Sequence, residues 1–179
     1  MEKTLYILGT ALGGILQIAA AWWCFRLNSS NCSAAEKLPR NRLAGAVIGL
    51  IALLICIPHA QAVSPAFLLP FLMPLAVVIP ILSYFFLDHC LARAIGGVMI
   101  LWAYYWINAS FALNSPMMWL IAITAWFWGA IGIWISGKPW AIRDWIRKCC
   151  TSAAWRNTSA VLLFLFALTT LLSTVMEVL

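Results

Sequence analysis

A short polar cluster separates two apolar runs in the stretch SYFFLDHCLARAIGGVMIL, residues 83–101. It contains Asp88, His89 and Arg93, which supply a carboxylate, an imidazole and a guanidinium. Such groups move protons and bind phosphate or carboxylate ligands. The spacing also suits a turn between two helices, across which Asp88 and Arg93 would form an ion pair. We interpret the cluster as a structural turn and keep a functional site as the alternative.

The Asp-x-x-x-Ala-Arg spacing that begins at Asp88 resembles one fragment of the CDP-alcohol phosphotransferases, a family with six membrane helices. That resemblance would imply a divalent metal held by several further aspartates. The position three residues before Asp88 is Phe85, and His89 stands where the family has glycine. The following helix has no carboxylate through Tyr105. The sequence departs from the motif at each of these points, and we do not assign it to the family.

A second group of polar side chains falls within apolar segments, near the ends of two predicted helices. Its imidazole, amide and hydroxyl groups could bind an uncharged solute through hydrogen bonds. The group consists of His59, Gln61, Tyr104, Tyr105, Asn108 and Ser110. We predict that these residues line a small polar cavity that opens to the outer side of a membrane.

The composition defines the elements that must position these residues. The chain has 179 residues, of which 65% are hydrophobic and 9% are charged. Ordinary soluble domains are about one quarter charged, so this chain is predicted to be a single integral membrane domain, residues 1–179. About 20 apolar residues span a bilayer as a helix. The predicted spans are Leu5–Phe25, Leu43–Ala62, Ala66–Leu87, Ala94–Ala112, Met117–Ser136 and Ser159–Val178. The predicted fold class is an all-α polytopic membrane helix bundle.

The first predicted span could also be read as a cleaved signal peptide. The residues WWCF continue its apolar run to full spanning length, which favours a retained helix. The chain contains 11 tryptophans. Tryptophan collects at membrane interfaces, and we expect most of these side chains in aromatic belts or in helix packing.

The basic residues predict an orientation. Ten of the 11 Lys and Arg residues fall in connections on one side of the six spans, and Lys3 falls on the other. Basic loops are retained in the cytoplasm. We therefore predict a protein of the cytoplasmic (inner) membrane, with both chain ends outside and the basic loops inside.

The connection before the last span predicts an amphipathic helix over residues 140–154. Apolar residues recur there at spacings of three and four, and charged residues occupy the opposite face. We expect this helix to lie in the cytoplasmic head-group layer, where Arg143, Arg147 and Lys148 would contact anionic lipids. Docking of a cytoplasmic partner protein is the alternative.

The six cysteines raise the question of a metal or redox site. Five fall on the predicted cytoplasmic side, where thiols stay reduced, and none is arranged as C-x-x-C. The sequence also has no P-loop, G-x-S-x-G or H-E-x-x-H motif. We predict no metal, no cofactor and no catalytic residue.

These patterns predict a non-catalytic subunit or scaffold of a membrane complex, in contact with anionic lipids and partner subunits. The net charge of +6 is assigned to membrane orientation and not to nucleic-acid binding. One alternative is a small transporter or channel for an uncharged or lipid-like solute. It is favoured by the polar group around His59 and by three prolines in the third span. The other alternative is a lipid-modifying or haem-bearing enzyme.

Overall fold

The computed structural model describes residues 2–178, except for the side chain of Glu2. Within these residues the chain forms eight α-helices and no β-strand. The helices are α1 (Glu2–Phe25), α2 (Cys32–Ala35), α3 (Arg42–Val63), α4 (Leu72–Phe86), α5 (Cys90–Ala112), α6 (Met118–Gly137), α7 (Trp140–Thr151) and α8 (Ala153–Val178). Six of them (α1, α3, α5, α6, α8, and α4 with its preceding turn) are long and apolar enough to cross a membrane. The prediction of an all-helical, multi-pass membrane fold is confirmed.

The helix α5 occupies the middle of the bundle. It packs along α6 on one side and along α3 on the other, and it also touches α1. The helix α8 packs along α1 and contacts α6 and α7. The helix α4 packs mainly against α3 and forms one edge of the bundle. We call the end of the bundle that contains α2 and α7 the basic end, and the opposite end, near Lys3, the terminal end.

Glycines allow α5 to approach its neighbours closely. A Cβ atom at Gly96 would lie 2.7 Å from the carbonyl oxygen of Gly132 and 2.5 Å from Ser136 Oγ, both in α6. A Cβ atom at Gly45 of α3 would overlap the backbone of α5 at Leu91. Apolar burial does not drive helices together in lipid, so such close packing is a main source of association.

The third predicted span begins later than expected. The prediction was Ala66–Leu87, whereas the α-helix starts at Leu72 after a 3₁₀ turn at Leu69–Phe71. Two prolines explain the delay. Pro70 lies in the first part of the 3₁₀ turn, and Pro74 lies in the first turn of α4. A helix tolerates proline there because the N–H groups of its first turn have no partner within the helix.

The boundary between α7 and α8 also differs from the prediction. We expected an interfacial helix over 140–154 and a span from Ser159, but α7 ends at Thr151 and α8 begins at Ala153. Ser152 between them is extended, with φ −121° and ψ 117°. Its hydroxyl accepts a 3.5 Å hydrogen bond from the backbone N–H three residues later. Serine is a favoured residue before a helix, so this start was readable in the sequence.

The apolar face of α7 packs on the chain itself. Its buried side chains Ile146, Cys149 and Cys150 join a cluster from three other helices and one connection. The other buried members are Cys24, Leu27, Ala35 and Ala160. The protein's own residues cover this face, and the position of α7 in the lipid head-group layer stays a prediction.

The contact at Gly96 leads to a test with an adjacent control. Gly96→Ala should lower the melting temperature in detergent, because the added methyl group overlaps α6. Overpacking of this kind costs about 1–3 kcal/mol. A Cβ atom at Gly97 meets nothing within 4 Å, so Gly97→Ala should melt close to the wild type. Equal melting temperatures for the two variants would contradict the proposed contact.

Candidate functional site

The turn between α4 and α5 holds its predicted residues in different contacts from those expected. Asp88 Oδ1 accepts a hydrogen bond from Arg42 Nη2 at 3.1 Å, which joins the end of α4 to the start of α3. The expected ion pair of Asp88 with Arg93 is not formed. Both partners of the observed pair are largely exposed, and such a pair contributes little to stability.

The side chain of Arg93 instead extends from the first turn of α5 to the end of α6. Its Nη1 donates a 3.0 Å hydrogen bond to the carbonyl oxygen of Ser136, near the end of α6. A cation is favoured there because the last carbonyl groups of a helix lack partners and carry partial negative charge. Arg93 Nε is buried and has no hydrogen-bond partner among the described residues.

His89 precedes α5 in a left-handed conformation, with φ 58° and ψ 37°. Its Nδ1 is buried and has no hydrogen-bond partner in the described part of the chain. Burial lowers the pKa of the imidazole, and the nearby cations Arg40 and Arg143 lower it further. The side chain is therefore neutral at pH 7, which suits a turn packed beneath several cations.

The cations of α7 have protein partners. Arg143 pairs with the aspartate that follows it in the chain, at 2.9 Å. Arg147 binds both carboxylate oxygens of Glu36, at 2.8 and 3.0 Å, and holds the pKa of that carboxyl below its usual range. Lys148 Nζ lies 5.2 Å from the ring centre of Trp155. Contact of these three cations with lipid head groups stays a prediction.

Part of the polar group predicted near the outer side does come together. The rings of His59 and Tyr104 meet edge to face, with their centres 5.2 Å apart. Asn108 Nδ2 donates a 2.8 Å hydrogen bond to the carbonyl oxygen of Tyr104, one turn earlier in α5. All three side chains lie on the exposed surface of the bundle. They form a polar patch where α3 meets α5.

The other members of that group lie apart from this patch. Gln61 is exposed near the end of α3. Tyr105 lies over Gly9 of α1, where a Cβ atom would be 3.5 Å from its ring. Ser110 is buried, and its hydroxyl donates to a carbonyl oxygen of its own helix at 3.0 Å. The two cavities described below are lined by other residues, and a binding role for the group stays a prediction.

An apolar cleft of about 330 Å³ lies between α3, α4 and α5. Its lining includes Ala52 and Cys56 of α3, Ile79 of α4, and Gly97 of α5, and Arg93 borders it toward the basic end. A second apolar cleft of about 360 Å³ lies on the other side of the contact between α3 and α4. The two clefts meet along Pro80, which is buried and lines both.

Two adjacent glycines shape the first cleft. Gly96 faces α6 and closes the contact there, whereas Gly97 faces the cleft, where a Cβ atom would meet nothing within 4 Å. The helices α4 and α5 both pack on α3 but make little contact with each other. The cleft is therefore backed by α3 and flanked by the other two helices.

A buried polar cluster at the terminal end was missed by the sequence analysis. The Tyr6 hydroxyl lies beside Ser115 and Ser173, and the Glu177 carboxylate is nearby. One oxygen of each side chain is buried and has no close, well-aligned hydrogen-bond partner within the described residues. The second oxygen of Glu177 lies 4.0 Å from Lys3 Nζ.

The same cluster continues along the contact between α1 and α8. Thr174 Oγ1 donates a 2.9 Å hydrogen bond to Thr10 Oγ1 across the two helices. The polar residues of α8 recur at spacings of three and four, from Thr170 through Ser173 and Thr174 to Glu177. This spacing places them on one helix face. The spacing of these polar residues could have predicted which face of α8 packs against another helix.

The pKa of His89 predicts a pH dependence of stability. Because its folded pKa lies below the unfolded value near 6.5, the folded state binds fewer protons between the two values. This contribution to stability is complete above about pH 6.5 and is lost as pH falls toward the folded pKa. The melting temperature of His89→Asn should therefore fall less than that of the wild type between about pH 7.5 and about pH 5.

Asparagine suits this test because it tolerates the left-handed conformation. The matched control is His59→Asn, which makes the same substitution at the second histidine and leaves His89 in place. The same loss of melting temperature in all three proteins would show that His89 does not contribute.

Comparison of the chain with protein-family models, curated proteins and solved structures finds no match.

Proposed function

We propose that this multi-pass membrane protein binds a lipid-like molecule with an acidic head group in the cleft between α3, α4 and α5. The observation that carries the proposal is the position of Arg93 beside an apolar cleft within the membrane-spanning helices. The proposal gives a specific form to the predicted alternative of a protein that handles a lipid-like solute.

The shape of the cleft supports an apolar chain as ligand. Its volume of about 330 Å³ falls near the lower end of the range of about 300–1,000 Å³ for small-molecule sites. Apart from Ser83 and Arg93, the lining residues are apolar or weakly polar. An acyl chain fits such a lining, because it needs no hydrogen bonds.

The charge at the basic end supports an acidic head group. Arg93 uses Nη1 for the carbonyl oxygen of Ser136, while its Nη2 forms no hydrogen bond within residues 2–178. A guanidinium carries five N–H groups in a planar fork that matches phosphate and carboxylate. Arg93 can therefore hold α6 and an acidic group at the same time.

The lipid proposal is tested by filling the cleft. Gly97→Leu should keep the fold, because a Cβ atom there has open space, and it should reduce the amount of lipid that co-purifies with the protein. The measurement is mass spectrometry of lipids extracted from protein purified in mild detergent.

The control for this test is Gly137→Leu, where a Cβ atom also meets nothing within 4 Å but the residue lies outside the cleft. It should keep the wild-type lipid content. Loss of lipid in both variants, or in neither, would refute binding in the cleft.

The orientation of the chain is also a proposal. We infer that the basic end faces the cytoplasm, in the cytoplasmic (inner) membrane, and that both chain ends lie outside. The support is the placement of ten of the 11 cations in the connections of one side.

A cysteine-labelling experiment tests this orientation in intact cells. In a Cys32→Ser background, a membrane-impermeant maleimide should label Ala66→Cys, in the connection after α3, and should not label Ser30→Cys, in the connection after α1. Both positions are exposed, so access in the folded protein is equal. Labelling of Ser30→Cys alone would reverse the orientation.

The predicted role as a non-catalytic subunit or scaffold is a second candidate. It is favoured by α4, since α4 packs mainly on α3 and 11% of its span is buried in this chain. Purification in mild detergent should then yield partner chains in fixed proportion to this one. Recovery of a solitary chain that still carries its lipid would support lipid binding and count against the subunit role.

A further inference from the structure

Four of the six cysteines meet at the basic end of the bundle. Cys24 lies in the last turn of α1, Cys32 starts α2, and Cys149 and Cys150 are adjacent in α7. The sequence offered no sign of this cluster, because its two members in α7 are more than 100 residues from the other two and no C-x-x-C pair occurs. The fold brings them together when the apolar face of α7 packs onto α1 and α2.

The cluster consists of two thiol pairs. Cys24 Sγ and Cys149 Sγ are 4.0 Å apart, and both side chains are fully buried. Cys32 packs against the buried cluster that contains Cys150. Cys150 is buried, whereas Cys32 is partly exposed at the surface. The adjacent cysteines of α7 thus face partners on two different elements.

We propose that these thiols are a redox-modification site, in which Cys32 and Cys150 form a reversible disulfide by exchange with a small external disulfide. The pair Cys24 and Cys149 is the inner dithiol of the same site. Its thiols reduce the outer disulfide by exchange and so form the second disulfide, and another molecule of the external disulfide then re-oxidises Cys32 and Cys150. The first disulfide ties α2 to α7, and the second ties α1 to α7.

Access and geometry determine the order of the reaction. Cys32 is the partly exposed thiol of the four, so its thiolate attacks the external disulfide, R–S–S–R, and one R–S⁻ leaves. The Cys150 thiolate then attacks the Cys32 sulfur of the mixed disulfide, and the second R–S⁻ leaves. The two cysteines lose two electrons and two protons, and the external disulfide is reduced to two R–SH.

The environment of Cys32 makes this exchange slow at neutral pH. The hydrogen bond with the Cys150 thiol, burial, and the Glu36 carboxylate raise the pKa of Cys32 to about 12. The Cys32 thiol lies 3.5 Å from Glu36 Oε1. Because the thiolate is the nucleophile, the rate should rise about tenfold for each unit by which the pH is increased, as long as the pH stays below this pKa.

The inner pair needs a small rearrangement before it can react. A disulfide requires a sulfur–sulfur distance of about 2.05 Å, so the side chains must rotate toward each other from 4.0 Å. In the reduced state Cys24 Sγ lies 3.6 Å from the carbonyl oxygen of Arg156, and Cys149 Sγ lies 3.8 Å from Ser159 Oγ. Oxidation gives up these two weak contacts with α8.

The experiment treats the purified 179-residue chain in detergent with oxidised glutathione at mildly alkaline pH. Free thiols are then blocked with a maleimide, and non-reduced peptides are mapped by mass spectrometry. We expect a Cys32–Cys150 crosslink first and a Cys24–Cys149 crosslink later, both reversed by dithiothreitol. Cys56 and Cys90 belong to neither pair, and they serve as internal controls whose thiols stay free.

Two variants separate this inference from a general effect of oxidation. Cys32→Ser should abolish the first crosslink and slow the second, whereas Cys56→Ser should leave both unchanged. The melting temperature of each reduced variant checks that the fold is intact. Full maleimide labelling of all four thiols after oxidation, or crosslinks between chains or to Cys56 or Cys90, would overturn the proposal.

Discussion

The close approach of α5 to its neighbours at glycine is the contact on which the bundle depends. Lipid surrounds these helices with apolar groups of its own, so apolar surface alone does not hold them together. Gly45 and Gly132 bring α3 and α6 against the backbone of α5, and Gly96 completes the second contact. The next residue, Gly97, faces the open cleft. Of these two adjacent glycines, Gly96 thus allows a close helix contact and Gly97 leaves the cleft open.

Polar contacts complement this packing at both ends of the bundle. At the terminal end, the hydrogen bond between Thr10 and Thr174 joins α1 to α8. At the basic end, Arg156 Nη1 donates a 3.0 Å hydrogen bond to the carbonyl oxygen of Leu27, and Arg147 binds Glu36. These contacts join elements that are far apart in the chain. They hold the first and last spanning helices as a pair beside α5 and α6.

The fold was predictable from the sequence because long apolar runs have few alternatives to membrane helices. Helix ends were less predictable, since Pro70, Pro74 and Ser152 act through local geometry and not through hydropathy. The candidate site was predictable in part. His59 and Tyr104 lie at similar depth and do meet, whereas Tyr105 turns toward α1 because successive residues of a helix point about 100° apart.

Other contacts depended on packing that no local pattern records. The partner of Asp88 is 46 residues earlier in the chain, at the start of another helix. The cysteines of α7 pack with Cys24 of α1 and Cys32 of α2 through the same kind of long-range contact. Composition and spacing identify the residue types that are present. Which residues pair with each other depends on which helix faces pack together.

The unequal lengths of the spanning helices affect the surrounding bilayer. The helix α4 has 15 residues and is about 22 Å long, with a short 3₁₀ turn before it, whereas α8 has 26 residues and is about 39 Å long. A hydrocarbon layer about 30 Å thick cannot match both lengths at once. Lipids beside α4 are expected to compress, while α8 tilts or extends into the interface. The protein would then create a local gradient of membrane thickness, with its thin side next to α4.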